Sequence, residues 1–172
     1  MTELEPRRVY GHRHTPMVGH QLFLLADPQA PGDPLQHGPP RETRLIKAGP
    51  GGVVLRSAGD DFYPEVQVEV WDGPPPPDGE DVWEVREETD FECPTGRLRL
   101  RSVEGLAAGP DLSPGDGGRY RLRAHVRGRA TARARLGHDL YYYGVEEWLL
   151  QVWPAAPTAT GGSGPAEAAA EA

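Results

Sequence analysis

The sequence Arg119-Tyr-Arg-Leu-Arg-Ala-His-Val-Arg127 alternates residue by residue between cationic and apolar side chains. Its even-numbered positions, Tyr120 to Val126, are apolar, whereas its odd-numbered positions are four arginines and His125. Successive side chains of a β-strand point to opposite faces, and a helix would mix these two sets. The stretch therefore predicts a strand with one face in the core and one cationic face, His125 included, in water.

The same alternation recurs elsewhere in the chain. The polar row is acidic in Glu65-Val-Gln-Val-Glu-Val-Trp71, and over 96–101 three arginines alternate with two leucines. Glycine and proline number 22 and 19, well above average usage, which favours turns over long helices. The predicted strands cover 17–26, 44–47, 52–58, 65–71, 82–87, 96–101, 119–127 and 145–153. Short strands joined by turns predict an all-β fold, an antiparallel β-sandwich of jelly-roll type with long Pro/Gly-rich loops.

The chain length of 172 residues favours one domain. We assign residues 17–153 to the sandwich, and residues 1–16 to a loose lead-in or a short edge strand. Residues 154–172, rich in proline, alanine and glycine, bury too little apolar surface to order and are expected to be a disordered tail. No signal-peptide pattern or run of about 20 apolar residues is present, so we expect a soluble, cytoplasmic protein with no membrane partner.

Charge is segregated along the sequence. The net charge is -8, which argues against direct nucleic-acid binding and favours a basic protein as partner. Between residues 60 and 92 there are 13 carboxylates and one arginine; between 97 and 135 there are 10 arginines and three acids. One interpretation is cross-strand ladders, with the Glu65/Glu69 face beside an arginine face, while the two arginine rows do not pair with each other. The other is a docking surface made by acids of the loops, namely Asp60, Asp61, Asp72, Asp78, Glu80 and Asp81.

Few residues suggest catalysis or a metal. His12, His14 and His20 would need a further ligand to hold zinc, and we interpret them as surface histidines. Acidic neighbours such as Glu92 are expected to raise the pKa of Cys93, the single cysteine, which argues against a nucleophile. The sequence contains no phosphate-binding glycine loop, nucleophile elbow or His-Glu-x-x-His motif. We therefore expect a protein that is not an enzyme and uses no cofactor.

The aromatic residues leave two interpretations open. They are Trp71, Trp83, Trp148, Trp153 and Tyr141 to Tyr143. These side chains are common in sheet cores, and we expect Trp148 to be the most buried of them. The alternative is a platform that stacks on sugars, which would make the protein a carbohydrate-binding or structural β-sandwich module.

Several short stretches, in order over about residues 17–153, resemble the competence protein J family. They are His20-Gln21 with Phe23, Val53-Val54-Leu55, Leu98-Arg-Leu-Arg-Ser102, and Leu112-Ser-Pro114 leading through Gly118 to Tyr120-Arg-Leu122. The family consists of small bacterial inhibitors of a DNA-entry nuclease. The resemblance implies a non-enzymatic protein that binds and blocks a nuclease or another basic, toxin-like protein, as an inhibitor or immunity protein does.

Overall fold

A computed structural model describes residues 5–77 and 82–155. Within these ranges the chain forms nine strands, a short α-helix and one turn of 3-10 helix at Pro34–His37. The strands and the helix are β1 Arg8–His14, β2 Leu22–Ala26, β3 Ile46–Gly49, β4 Gly52–Arg56, β5 Tyr63–Trp71, β6 Val85–Cys93, β7 Arg99–Arg101, β8 Gly118–Arg127, α1 Arg129–Ala134 and β9 Tyr143–Pro154.

The strands form two sheets, which confirms the all-β class. One sheet has the order β1-β5-β9-β8-β6, and the other has the order β3-β4-β2-β7. Neighbouring strands are antiparallel except β5 and β9, which run parallel with Val66 opposite Trp148. This parallel pair departs from the purely antiparallel expectation.

The apolar row of β8 lies in the core, as its alternation predicts. Leu122 and Val126 have no solvent exposure, and they belong to a single cluster that contains residues of both sheets. Trp148 of β9 is buried as expected, and its ring meets Phe23 of β2 edge-on with centroids 5.1 Å apart. These contacts pack the two sheets face to face.

The cationic row of β8 lies beside the acidic residues of β6. Arg121 and Arg123 donate to the two oxygens of Glu88 at 2.8 and 2.7 Å, and Arg121 also contacts Asp90 at 2.6 Å. The ladder therefore forms with β6, whereas the Glu65 and Glu69 carboxylates of β5 pair with arginines of β1. The arginine row of β7 lies in the other sheet, so the two arginine rows do not pair, as expected.

His125 is the exception in the cationic row, and its expected solvent exposure is wrong. The side chain is only 1% exposed, because Trp83, which precedes β6, lies over it with ring centroids 5.6 Å apart. Its Nδ1–H donates to the Leu149 carbonyl oxygen at 3.1 Å. The connection between β5 and β6 also reaches β8 at Pro75, whose carbonyl accepts from Arg123 at 3.0 Å. The β5–β6 connection thus buries part of the β8 face that the sequence of β8 predicts to be exposed.

Several boundaries differ from those expected. β2 begins at Leu22 rather than at residue 17, because His20 and Gln21 have φ of 56° and 64°, which interrupts an extended chain. Residues 8–14 form an edge strand beside β5. β6 continues to Cys93. The tail from residue 156 lies outside the described residues, and none of the described helices is long and apolar enough to span a membrane.

Candidate functional site

The structure separates the acids that the sequence groups into one docking surface. Asp60 and Asp61 precede β5, whereas Asp72 follows it. A nine-residue strand rising about 3.3 Å per residue places the two sets about 30 Å apart. The carboxylate of Asp72 accepts the Arg7 backbone N–H at 2.7 Å and so fixes the chain entering β1. The other members, Asp78, Glu80 and Asp81, lie outside the described residues.

Asp60 and Asp61 form a tight turn that receives the loop before β9. The Asp60 carboxylate accepts the backbone N–H groups of Gln21 and Asp61 at 3.0 and 2.9 Å. The Asp61 carbonyl accepts the Tyr141 N–H at 2.6 Å. The two acidic residues are therefore held beside Tyr141 and Tyr142 of this loop and Tyr143 at the start of β9.

Large apolar and aromatic side chains are exposed on this loop. Leu140, Tyr141 and Tyr143 are 63%, 58% and 65% exposed. The Tyr143 ring stacks on Tyr63 of β5 with centroids 4.5 Å apart and planes 13° from parallel. We call this surface the tyrosine–aspartate patch. It consists of Asp60, Asp61, Tyr63, Leu140, Tyr141 and Tyr143.

The backbone of the patch is in an unusual conformation. Asp61, Tyr141 and Val145 have φ of 49°, 58° and 60°, in the left-handed region that residues with a side chain avoid. Each such residue costs about 1–2 kcal/mol. Strained backbone of this kind persists where the surroundings fix it, and it clusters at functional sites.

Tyr142 and Glu146 fix the patch from below. Tyr142 points inward and stacks on the buried Phe62 ring at 4.9 Å. The fully buried Glu146 carboxylate accepts from the Ser57 hydroxyl at 2.7 Å, the Ala58 N–H at 2.9 Å and the Trp148 indole N–H at 2.8 Å. This carboxylate thus joins the start of β9 to the turn that carries the two aspartates.

The two aspartates of the patch differ from the neighbouring acid in their ion pairing. Within the described part of the chain, neither Asp60 nor Asp61 lies within ion-pair distance of a cation. The neighbouring Asp139 is paired with Arg135 at 3.1 Å. Half-buried carboxylates without a cationic partner, beside exposed aromatic rings, can pair with arginine or lysine, whose charged groups also stack on such rings.

The tryptophans do not form the sugar platform that the sequence left open. Trp148 and Trp153 are buried. Trp71 donates its indole N–H to Glu69 at 2.9 Å, and the Arg127 guanidinium lies 5.0 Å from the centroid of the Trp83 ring. Among the described residues the exposed aromatic rings are those of Tyr141 and Tyr143. Sequence reasoning missed Tyr63, whose half-buried ring stacks on Tyr143.

Cys93 and the three histidines differ in their burial. Burial, and after it the Asp27 carboxylate, raises the pKa of the Cys93 thiol to about 12. The expected rise in pKa is confirmed, but the acid that contributes to it is Asp27 and not Glu92. His20 is exposed, whereas His12 and His14 are half-buried with ring centroids 4.4 Å apart. No group of three or more metal-ligating side chains occurs among residues 5–77 and 82–155.

Comparison with known proteins supports similarity in fold. No protein-family model matches the chain, and no curated protein matches its sequence. The crystal structure of ComJ from Bacillus subtilis, an inhibitor of the DNA degrading activity of NucA, matches with a TM-score of 0.53 and 7% identity, covering 88% of this chain and 100% of ComJ. The product of crocagin biosynthetic gene J matches with a TM-score of 0.53 and 14% identity, covering 89% of this chain and 100% of that one. At such low identity the similarity establishes a shared fold alone.

Proposed function

We propose that this protein is a non-enzymatic binding protein that neutralises a nuclease or another basic, toxin-like protein, and that it docks through the tyrosine–aspartate patch. The observation that carries the proposal is the exposure of Tyr141 and Tyr143 beside two aspartates without cationic partners. The shared fold with ComJ, an inhibitor of a DNA degrading activity, supports the same class of function.

Binding would proceed in two stages. The net charge of -8 attracts a basic partner over distance, and Asp60 and Asp61 orient it as it approaches. Tyr141 and Tyr143 then supply the buried contact area, since tyrosine is enriched among the residues that dominate binding energy. A nuclease binds DNA through a positively charged surface, so a partner bound in this way loses access to its substrate.

The rigidity of the patch serves this role. Its loop is fixed by the Asp61–Tyr141 backbone hydrogen bond, the Tyr63–Tyr143 stack and the contacts of Glu146. A surface that is already ordered loses little conformational entropy on binding, and this raises its affinity for a partner.

The experiment compares capture by matched variants. The tagged wild type, Y141S/Y143S and D60N/D61N are used to capture proteins from the native host at low salt, with quantitative mass spectrometry as the readout. L106S is the control, because Leu106 is 64% exposed, as exposed as the tyrosines, but belongs to the segment after β7. Asparagine at position 60 keeps an oxygen that can accept the Gln21 N–H, so D60N/D61N retains the turn.

We expect one basic protein to be retained by the wild type and L106S and lost from both patch variants. The wild type should also block its DNA-degrading or other toxic activity in a purified mixture. Equal retention by the patch variants, or capture of no basic protein, would refute the proposal.

A second candidate function is sugar binding by the exposed tyrosine rings. The stacked Tyr63 and Tyr143 rings offer a flat aromatic surface of the kind on which a sugar ring packs. A glycan panel read by tyrosine and tryptophan fluorescence tests it. A saturable signal that is lost in Y141S/Y143S would favour this candidate over protein binding.

A further inference from the structure

A polar cavity of about 300 Å³ lies next to the turn that carries Asp60. Three arginines from two different elements contribute to its wall. Its polar lining residues are Gln21, Glu42, Arg56, Ser57, Arg129 and Arg133. Pockets for small ligands have volumes of about 300–1,000 Å³, so this cavity is at the lower end of the range.

Two of these arginines have no carboxylate partner. Arg129 is matched by the buried Glu146, whose oxygen lies 3.7 Å from its Nη1, and it also donates to the Arg56 carbonyl at 3.2 Å. Arg56 and Arg133, by contrast, form no ion pair with any described residue. The Nε of Arg56 is buried and has no hydrogen-bond acceptor in this part of the chain.

The fold fixes the backbone positions from which these two side chains extend. Arg56 ends β4, and its guanidinium donates to the Pro40 carbonyl. Arg129 and Arg133 lie four residues apart on α1 and therefore on one face of the helix. α1 itself is fixed by Ala132, which is fully buried. The cavity is thus built from a strand end and a packed helix.

The nearby carboxylates direct their hydrogen bonds to donors other than Arg56 and Arg133. Glu84 accepts the backbone N–H groups that begin α1, and Glu87 accepts those of Leu45 and Ile46. Glu146 is already bound by three donors besides Arg129. Glu42 is exposed and is the one carboxylate among the described lining residues, against three guanidinium groups.

We propose that this cavity binds a phosphate group, held by Arg56 and Arg133. A phosphate carries up to two negative charges and several acceptor oxygens, which match two guanidinium groups better than a single carboxylate does. This site is separate from the docking role of the patch, so either proposal can fail while the other stands.

The test is a titration of the full chain with inorganic phosphate at pH 7.5 and constant ionic strength, followed by NMR of the arginine Nε–Hε signals. We expect saturable shifts of the Arg56 and Arg133 signals that sodium chloride does not reproduce. R133Q should weaken binding at least tenfold and leave the melting temperature unchanged, because Arg133 is exposed. R119Q is the control, since Arg119 is an exposed arginine near the opposite end of β8 from α1.

Separate titrations with O-phosphoserine and adenosine monophosphate distinguish the sources of the phosphate. Saturable binding of any of the three that R133Q weakens and R119Q does not would support the proposal, and the tightest of them would identify the source. Shifts that grow linearly with phosphate, or that are equal in wild type and R133Q, would overturn it.

Discussion

Replacing Glu146 by alanine tests how the patch is attached to the core. The carboxylate is fully buried and receives hydrogen bonds from the Ser57 hydroxyl, the Ala58 N–H and the Trp148 indole N–H, besides its ion pair with Arg129. E146A leaves three donors without an acceptor and an arginine without its counter-ion.

The expected cost follows from these contacts. A buried donor left unsatisfied costs about 1–3 kcal/mol, and breaking a buried ion pair by removing one partner costs about 3–5 kcal/mol. The two costs do not add in full, because water can enter the space left by the Glu146 side chain and hydrate the unpaired groups. We expect E146A to lower the free energy of unfolding by about 4 kcal/mol, a large part of the 5–15 kcal/mol typical of a domain.

The measurement is urea unfolding at pH 7, followed by tryptophan fluorescence and far-UV circular dichroism. E147A is the matched control. Glu147 is the next residue of β9, but its ion pair with Arg127 is about 40% exposed on both sides, and an exposed pair contributes about 0–1 kcal/mol. E146Q, which keeps one acceptor oxygen, should fall between the two and remain measurable if E146A does not fold. Equal stability of E146A and E147A would refute the reasoning.

Three further predictions concern the core, the ladder and the thiol. L122A should lower the free energy of unfolding by about 2–5 kcal/mol, measured by urea unfolding, because Leu122 is fully buried; a loss below 1 kcal/mol would contradict its place in the core. Burial raises the pKa of Glu88, but hydrogen bonds from Arg123 and Arg121 outweigh burial and leave the pKa lowered. The ionised Glu88 therefore stabilises the fold at pH values above its ordinary pKa of 4.5. This stabilisation is lost as the pH falls through the pKa of the folded state. The stability gap between wild type and E88Q, followed by urea unfolding from pH 7 to pH 2, should therefore close in acid, and a constant gap would contradict this. Cys93, with its pKa raised to about 12, should resist a disulfide reagent at pH 8 until urea unfolds the protein; rapid labelling of the native state would contradict its burial.

The strands that alternate most regularly are the ones that sequence reasoning predicts best. β8 and β5 follow their parity patterns because one face of each strand lies in the core. The sequence-based prediction ends β6 too early, because Glu88, Asp90 and Glu92 have low intrinsic preference for strands. Their pairing with the arginines of β8 supplies the missing stabilisation, and that pairing is not local in sequence.

The errors have the same physical origin. His125 looks solvent-facing in its own strand, and only a segment about 40 residues earlier, with Trp83, buries it. The parallel pairing of β5 with β9 joins residues about 80 positions apart, which no local pattern encodes. Asp60 and Asp72 appear in one acidic block, but an intervening strand separates them by its whole length.

The patch itself was only partly predictable. Asp60 and Asp61 were candidates for a docking surface from charge alone, whereas the exposure of Tyr141 and Tyr143 depends on Tyr142 turning inward onto Phe62. Sequence reasoning singled out Tyr141 to Tyr143 but not which of their rings is exposed, because that depends on the left-handed backbone at Tyr141 and on the contact of Tyr142 with Phe62.

Site-specific photo-crosslinking shows whether the tyrosine–aspartate patch contacts a basic protein, as we propose. A photoreactive phenylalanine analogue is placed at Tyr143 in one sample and at Leu106 in another, since these side chains are 65% and 64% exposed. We predict that the analogue at position 143 crosslinks to one basic protein and that the analogue at position 106 does not. Crosslinking from position 106 alone, or equal crosslinking from both positions, would contradict the account.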